Sequence, residues 1–200
     1  MSRVCAGVAT WQDGPALANA VASVRDHVDE VVIVDGLIDG VDPQGLPWYS
    51  NLAGLSSLSS HVESRLWRSQ AQQRTHCLEA ARELGCEWLL VIDADEQLHG
   101  GQDLGRLVRA AEAMRLECLA LPVDGGSRLA IRLLETASFS RYLQGAHTLE
   151  HVDGSAVALP SFQYKLQPGE LWIEHRPELR PAGVRRQIRL GELQCALEQR

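Results

Sequence analysis

Three charge-free apolar runs govern what this chain can fold into: residues 4–9, 31–34 and 88–92, each only four to six residues long. Runs this short, without polar alternation, suit strands buried on both faces of a sheet. The segments between them have helical spacing. Pro15 stands where a first helical residue would, and Leu17, Ala20, Val21, Val24 and Val28 recur at helical intervals. Ser69 and Gln72 form a capping box ahead of a helix with Leu78, Ala81 and Leu84 on one face and Gly85 as its stop. Asp103 can cap a further helix carrying Leu104, Leu107, Val108 and Ala111, and residues 118–123 follow as a strand. This alternation predicts an α/β fold: a Rossmann-like, mostly parallel sheet with helices on both faces.

Past residue 124 the pattern changes. Short strands at 129–134, 156–159 and 171–173 lie among Gly and Pro, and a final helix carries Val184, Ile188, Gly191 and Cys195 on one stripe. The expectation is one domain over residues 1–200, with a mixed second half from 125 onward. Residues 36–60, rich in Gly, Pro, Ser and Asn, read as a long loop. With 45% apolar and 22% charged residues the chain is not of the disordered class, and no apolar run can span a bilayer. Met1-Ser2-Arg3-Val4 lacks the apolar core of a secretory signal, so a cytoplasmic location is expected. Five cysteines without a C-x-x-C pair argue against a zinc finger or a disulfide scaffold and predict free thiols. A net charge of −7 argues against non-specific attraction to nucleic acid or anionic lipid.

In a parallel sheet the C-terminal strand ends share one edge, and ligands bind in the crevice there. Strand one ends at Thr10-Trp11-Gln12-Asp13, strand two at Asp35-Gly36, and the strand from Trp88 at Asp93-Ala94-Asp95-Glu96. Three acidic points therefore converge on one edge. Hard carboxylate oxygens suit Mg²⁺ or Mn²⁺, with a substrate diphosphate completing the shell and leaving as its charge is neutralised. Arg74, on the helix before the third strand, can add a charge-assisted bond to the same phosphates.

These residues together resemble the family 2 glycosyltransferases of the GT-A fold, in their short bacterial form. Residues 28–36 with Asp39-Gly40 resemble the family's nucleoside-binding strand. Gln73-Arg74-Thr75 through Asp93-Ala94-Asp95-Glu96 resemble its helix and D-x-D-E metal motif. Ile131-Arg132-Leu133-Leu134, Gly145-Ala146-His147 and Ile173-Glu174-His175 are similar to its later elements. The resemblance implies a transferase, hexosyl or pentosyl, that moves a sugar from a UDP-linked donor with inversion. Residues 1–124 would bind the nucleotide-sugar and 125–200 would form the acceptor side. It places Thr10, Asp35, Arg74 and Asp93 on the donor, and Asp95, supported by Asp93 and His175, on Mn²⁺ or Mg²⁺. Thr148 stands where the family has a glutamate, so the general base is sought among Glu150, His147 and Asp124. The acceptor class stays open among glycan, lipid-linked, protein and modified nucleic acid.

Three competing readings fit parts of the chain. A haloacid-dehalogenase-type phosphatase would need threonine where Gln97 stands and a lysine followed by an acidic pair, which the lone Lys165 lacks. A nucleotidyltransferase shares the sheet and metal logic but wants a basic, glycine-rich loop after strand one. A catalytically impaired nucleotide-sugar-binding or partner-binding protein would draw on the tail, where residues 176–200 carry six arginines against three glutamates.

Overall fold

A computed structural model describes residues 2–11, 13–38, 57, 59–143, 148–157 and 171–179. The expected final helix, His147 with Gly145-Ala146, Asp39-Gly40, Lys165 and most of the long segment at 36–60 lie outside the described residues.

The alternation read from the sequence is present. Strand β1 (Val4–Thr10) leads to helix α1 (Pro15–Val24), with Pro15 in its first turn, and on to β2 (Glu30–Asp35). After β3 (His61–Ser64), helix α2 (Gln70–Glu83) precedes β4 (Trp88–Asp93). Ser69 Oγ accepts from the Gln72 amide at 3.1 Å, while Gln72 Oε1 reaches the Arg68 amide at 2.8 Å, one residue beyond the usual box. Gly85, at φ +70°, takes the left-handed turn that ends α2. Beyond β5 (Glu96–His99) come α3 (Leu104–Ala113), β6 (Cys118–Val123) and β7 (Arg128–Glu135). Asp103 does not cap α3 through its side chain. A 3-10 turn at Gly101–Asp103 runs straight into the helix, and the carboxylate bonds Arg106 Nε at 3.3 Å instead.

The remaining strands are β8 (Phe139–Tyr142), β9 (Leu149–His151), β10 (Ala156–Val157) and β11 (Trp172–His175). The main sheet has the order β3-β2-β1-β4-β7-β6-β11-β5, and β8, β9 and β10 form a separate three-stranded sheet. Within the main sheet β3, β2, β1 and β4 run parallel, β6 and β11 run the same way, and β7 and β5 oppose them. The sheet is mostly parallel, as expected.

Both faces are covered. Ala6, Val8, Val31, Ile33, Leu90 and Ile92 pack with α1 and α3 on one side. Their neighbours Cys5, Val32, Val34, Leu89 and Val91 pack with α2 and with Phe139, Tyr142 and Leu149 of the small sheet on the other. This period-2 division is why the strands read as continuous apolar runs. Burying each Val, Leu or Ile of these two layers contributes about 1.5–3 kcal/mol. Cys5, Cys77 and Cys86 are buried free thiols of the second layer, and Cys118 is half-buried. No helix among the described residues is long and apolar enough to cross a membrane.

One topological feature positions the site. β4 and β5 are joined by a turn of just Ala94 and Asp95, yet β7, β6 and β11 lie between them in the sheet order. A flat sheet cannot meet both conditions, so this one curls back on itself. The curl carries β11 over the end of β4.

Candidate active site

The register puts the acidic strand ends on one edge. Thr10 lies beside Asp35 and Ala9 beside Asp93. Gln73, buried at the start of α2, donates its side-chain amide to the carbonyls of Thr10 (3.1 Å) and Val34 (3.0 Å) and so clamps the ends of β1 and β2 together. Thr10 Oγ1 donates to Asp13 Oδ2 at 2.8 Å, and the Trp11 amide reaches the same oxygen at 3.1 Å. The chain is thereby turned sharply away from the edge.

Asp35 is 3% exposed, and its Oδ2 accepts from Ser64 Oγ at 3.0 Å. Its carbonyl accepts from Trp67 Nε1 at 2.8 Å and from the Arg65 amide at 3.2 Å. Gly36 makes this approach possible: at φ +136° a Cβ there would lie 1.8 Å from the Arg65 carbonyl oxygen.

The Asp93-Ala94-Asp95-Glu96 segment is built on a buried charge network. Arg74, expected beside the phosphates, is 5% exposed and gives Nη2 to Asp93 Oδ1 at 2.5 Å. Arg132, on β7, places Nη2 at 2.6 Å from Glu96 Oε1 and 3.5 Å from Asp93 Oδ2. Glu96 Oε2 accepts from the Asp93 amide at 2.9 Å. Burial pushes the Glu96 carboxyl up to about 7, with Asp93 adding to the rise and Arg132 opposing it. Two guanidinium groups facing two carboxylates keep the cluster near neutrality, which is the condition for burying it at all.

Asp95 meets residues from the far end of the chain. Its Oδ2 lies 3.2 Å from His175 Nε2, and its carbonyl accepts from the Arg176 amide at 2.7 Å. The His175 amide in turn donates to Asp124 Oδ1 at 2.9 Å. Asp124, at φ +53°, sits where β6 ends. The curl of the sheet thus gathers Asp95, Asp124 and His175 beside Asp93. Oδ2 and Nε2 at 3.2 Å are at hydrogen-bond distance, and two ligands on one octahedral ion at about 2.1 Å each also stand about 3 Å apart, so this pair could hold a cation. Asp93, facing two arginines, supports the turn from behind.

The three-stranded sheet places Glu150 differently. Arg82 Nε bonds the Thr136 carbonyl and the Tyr142 amide bonds Thr75 Oγ1, so β8 climbs α2 toward the same edge. Glu150, paired with Arg141 across the hairpin, accepts from Arg141 Nη2 at 2.9 Å and Ser140 Oγ at 3.3 Å. The Arg141 hydrogen bond holds its carboxyl below the ordinary range.

Ser64 belongs to none of the motifs, and Gln73, Glu96 and Arg132 belong to them without a role of their own. Arg132 did carry a signal. A lone charge inside the apolar run at 129–134 must find a buried partner, and the acid adjoining Asp95 was the unassigned one.

No protein-family model matches the chain, and no curated protein matches its sequence. Solved structures do match. TarS of S. aureus, residues 1–349 in complex with UDP-GlcNAc, superposes with a TM-score of 0.50 at 14% identity, covering 72% of this chain and 50% of that one. 4-diphosphocytidyl-2C-methyl-D-erythritol synthase gives 0.49 at 17% identity, covering 70% and 78%. The mannosyltransferase PcManGT from Pyrobaculum calidifontis, in complex with GDP-Man and Mn²⁺, gives 0.44 at 18% identity, covering 63% and 37%. The chain spans half or less of the TarS chains it matches. The fold it shares with TarS is the GT-A fold of nucleotide-diphospho-sugar transferases.

Proposed function

We propose that this chain is a metal-dependent glycosyltransferase, moving a hexose or pentose from a UDP-linked sugar to an acceptor hydroxyl with inversion. The observation that carries the reading is the Asp95–His175 pair, 3.2 Å apart, on the sheet edge where Asp35 and Asp93 also end. Asp35, with Ser64 behind it, would read the nucleoside from the β2 end, beside Thr10. Residues 1–124 would hold the donor and residues 125–200 the acceptor.

In this reading Asp95 and His175 hold Mn²⁺ or Mg²⁺, which when bound neutralises charge on the departing diphosphate. Arg74 and Arg132 fix Asp93, and through the Asp93 amide and Glu96 they set the turn that aims Asp95. The acceptor oxygen attacks the anomeric carbon opposite the diphosphate. The bond from that carbon to the diphosphate oxygen breaks, and its electron pair leaves with the nucleotide. The acceptor proton passes to a carboxylate, for which we favour Asp124 over Glu150. Asp124 shares the edge with Asp95 through His175, whereas Glu150 is held by Arg141 and Ser140 on the separate three-stranded sheet.

The test is thermal unfolding with UDP, GDP, CTP and UDP-GlcNAc, each with and without Mn²⁺, followed by donor hydrolysis. A nucleotide at 100 times its Kd stabilises the fold by about 2.7 kcal/mol. Asp95→Ala should keep the fold and lose both Mn²⁺-dependent stabilisation and hydrolysis. Unchanged hydrolysis in that variant refutes the assignment, and pyrophosphate release from CTP with a phosphorylated alcohol would replace sugar transfer by nucleotidyl transfer.

A further inference from the structure

A second cluster lies on the outer flank of the donor half. β3 is the edge strand, and His61 and Glu63, two residues apart, share one of its faces. His76 comes to meet them from α2. One ligand atom from each of the three lies within 4.8 Å of the others. Glu63 Oε2 is in direct contact with His76 Nε2.

Glu79, one turn further along α2, places Oε2 at 3.2 Å from His76 Nδ1. A carboxylate can only accept, so the Glu79 contact engages Nδ1, and Nε2 is the ring atom that faces Glu63. Such a contact calls for a cation between Nε2 and Oε2, either a proton or a metal ion. His61 Nε2 is buried there with no hydrogen-bond partner. Arg65 Nε holds the other Glu63 oxygen, Oε1, at 3.1 Å and leaves Oε2 for the histidines.

We propose that His61, Glu63 and His76 bind a divalent transition-metal ion, Zn²⁺ by preference, at a site separate from the acidic strand edge. Two imidazoles and one carboxylate form a three-ligand zinc set with a fourth position for water. Mg²⁺ and Ca²⁺ prefer oxygen alone. Ligands on a tetrahedral zinc at about 2.1 Å stand about 3.4 Å apart, so the trio closes on the ion by side-chain rotation. Glu79 is the outer carboxylate that fixes tautomer and ring orientation of a liganding histidine. The ion would brace edge strand β3 against α2. Ser64, which bonds Asp35, follows Glu63 directly, and Gln73 and Arg74 lie three and two residues before His76 on α2.

The test is titration of chelator-treated protein with ZnCl₂ against a chromophoric zinc chelator, repeated with MgCl₂. One equivalent of Zn²⁺ is expected to bind far more tightly than Mg²⁺ and to raise the unfolding temperature. This equivalent should persist in Asp95→Ala. Glu79→Gln, at a half-exposed side chain outside the core, should weaken it by about 10–100-fold. His61→Gln and His76→Gln should abolish it. Uptake of Zn²⁺ no tighter than of Mg²⁺, uptake unmoved by Glu79→Gln, or loss of the equivalent in Asp95→Ala would each overturn the proposal. Should either histidine variant fail to fold, the wild-type titration and the Glu79→Gln variant still decide. If the trio is instead an imidazolium held between two glutamates, ZnCl₂ leaves the unfolding temperature unchanged, which also refutes the site.

Discussion

Replacing Arg132 by Met removes a charge at nearly constant length from the centre of the buried network. Arg132 is 5% exposed and its partner Glu96 is 1% exposed, so solvent screens neither. Taking away one member of such a pair leaves the other buried without its counter-ion, at a cost of about 3–5 kcal/mol. Against a total stability of about 5–15 kcal/mol, that makes the variant marginal. The loss must also depend on pH. In the wild type the folded Glu96 carboxyl sits at about 7 against an ordinary 4.5, so between these values the folded chain holds a proton that the unfolded chain has lost. Raising the pH through this window therefore weakens folding. The contribution is complete below 4.5 and gone above 7, with an amplitude of about 3 kcal/mol. Without Arg132 nothing at 2.6 Å opposes the rise, so in the variant the carboxyl titrates higher still. The difference from wild type should be largest near pH 8 and shrink toward pH 5, where both folded proteins keep Glu96 neutral. Urea unfolding at the two pH values measures this directly. A penalty below about 1 kcal/mol, or one identical at both pH values, would refute the buried-pair argument.

Gly36→Ala brings a methyl to 1.8 Å from the Arg65 carbonyl at φ +136°, so a loss of about 2 kcal/mol or more in urea unfolding is expected, with weaker nucleotide binding as Asp35 shifts. Asp35→Ala removes a charge-assisted hydrogen bond worth about 1.5–3 kcal/mol, so calorimetry should show roughly 10-fold to 150-fold weaker nucleotide binding with the fold retained. Unaltered affinity in that variant would remove Asp35 from the donor site.

The sequence carried the central strands because burial on both faces leaves an unmistakable local mark. Residues 31–34 are apolar at every position since Val32 and Val34 face α2 while Val31 and Ile33 face α1. Strands β3, β5, β8 and β9 leave no such mark. They are three or four residues long, half-buried and polar, and His61–Ser64 exists because it pairs with β2 and not because of its own preference. Asp103 failed as a cap for a related reason: the pattern gave the helix but not the 3-10 turn leading into it.

The same division runs through the candidate site. Asp35, Asp93 and Asp95 were legible because each stands at or just past the end of a buried strand, and a parallel register then gathers them without further information. Their partners come from far along the chain. His175 meets Asp95 across 80 residues and Arg132 meets Glu96 across 36. Both meetings depend on the curl that lets β5 follow β4 through two residues while closing the far side of the sheet. A mostly parallel sheet could present its acids along an edge without curling, but nothing would then face Asp95 from above. The opposing strands β7 and β5 are therefore what turn a row of carboxylates into a site with two sides. On this argument, changes that disturb β7 should affect catalysis even where no residue of β7 touches the donor.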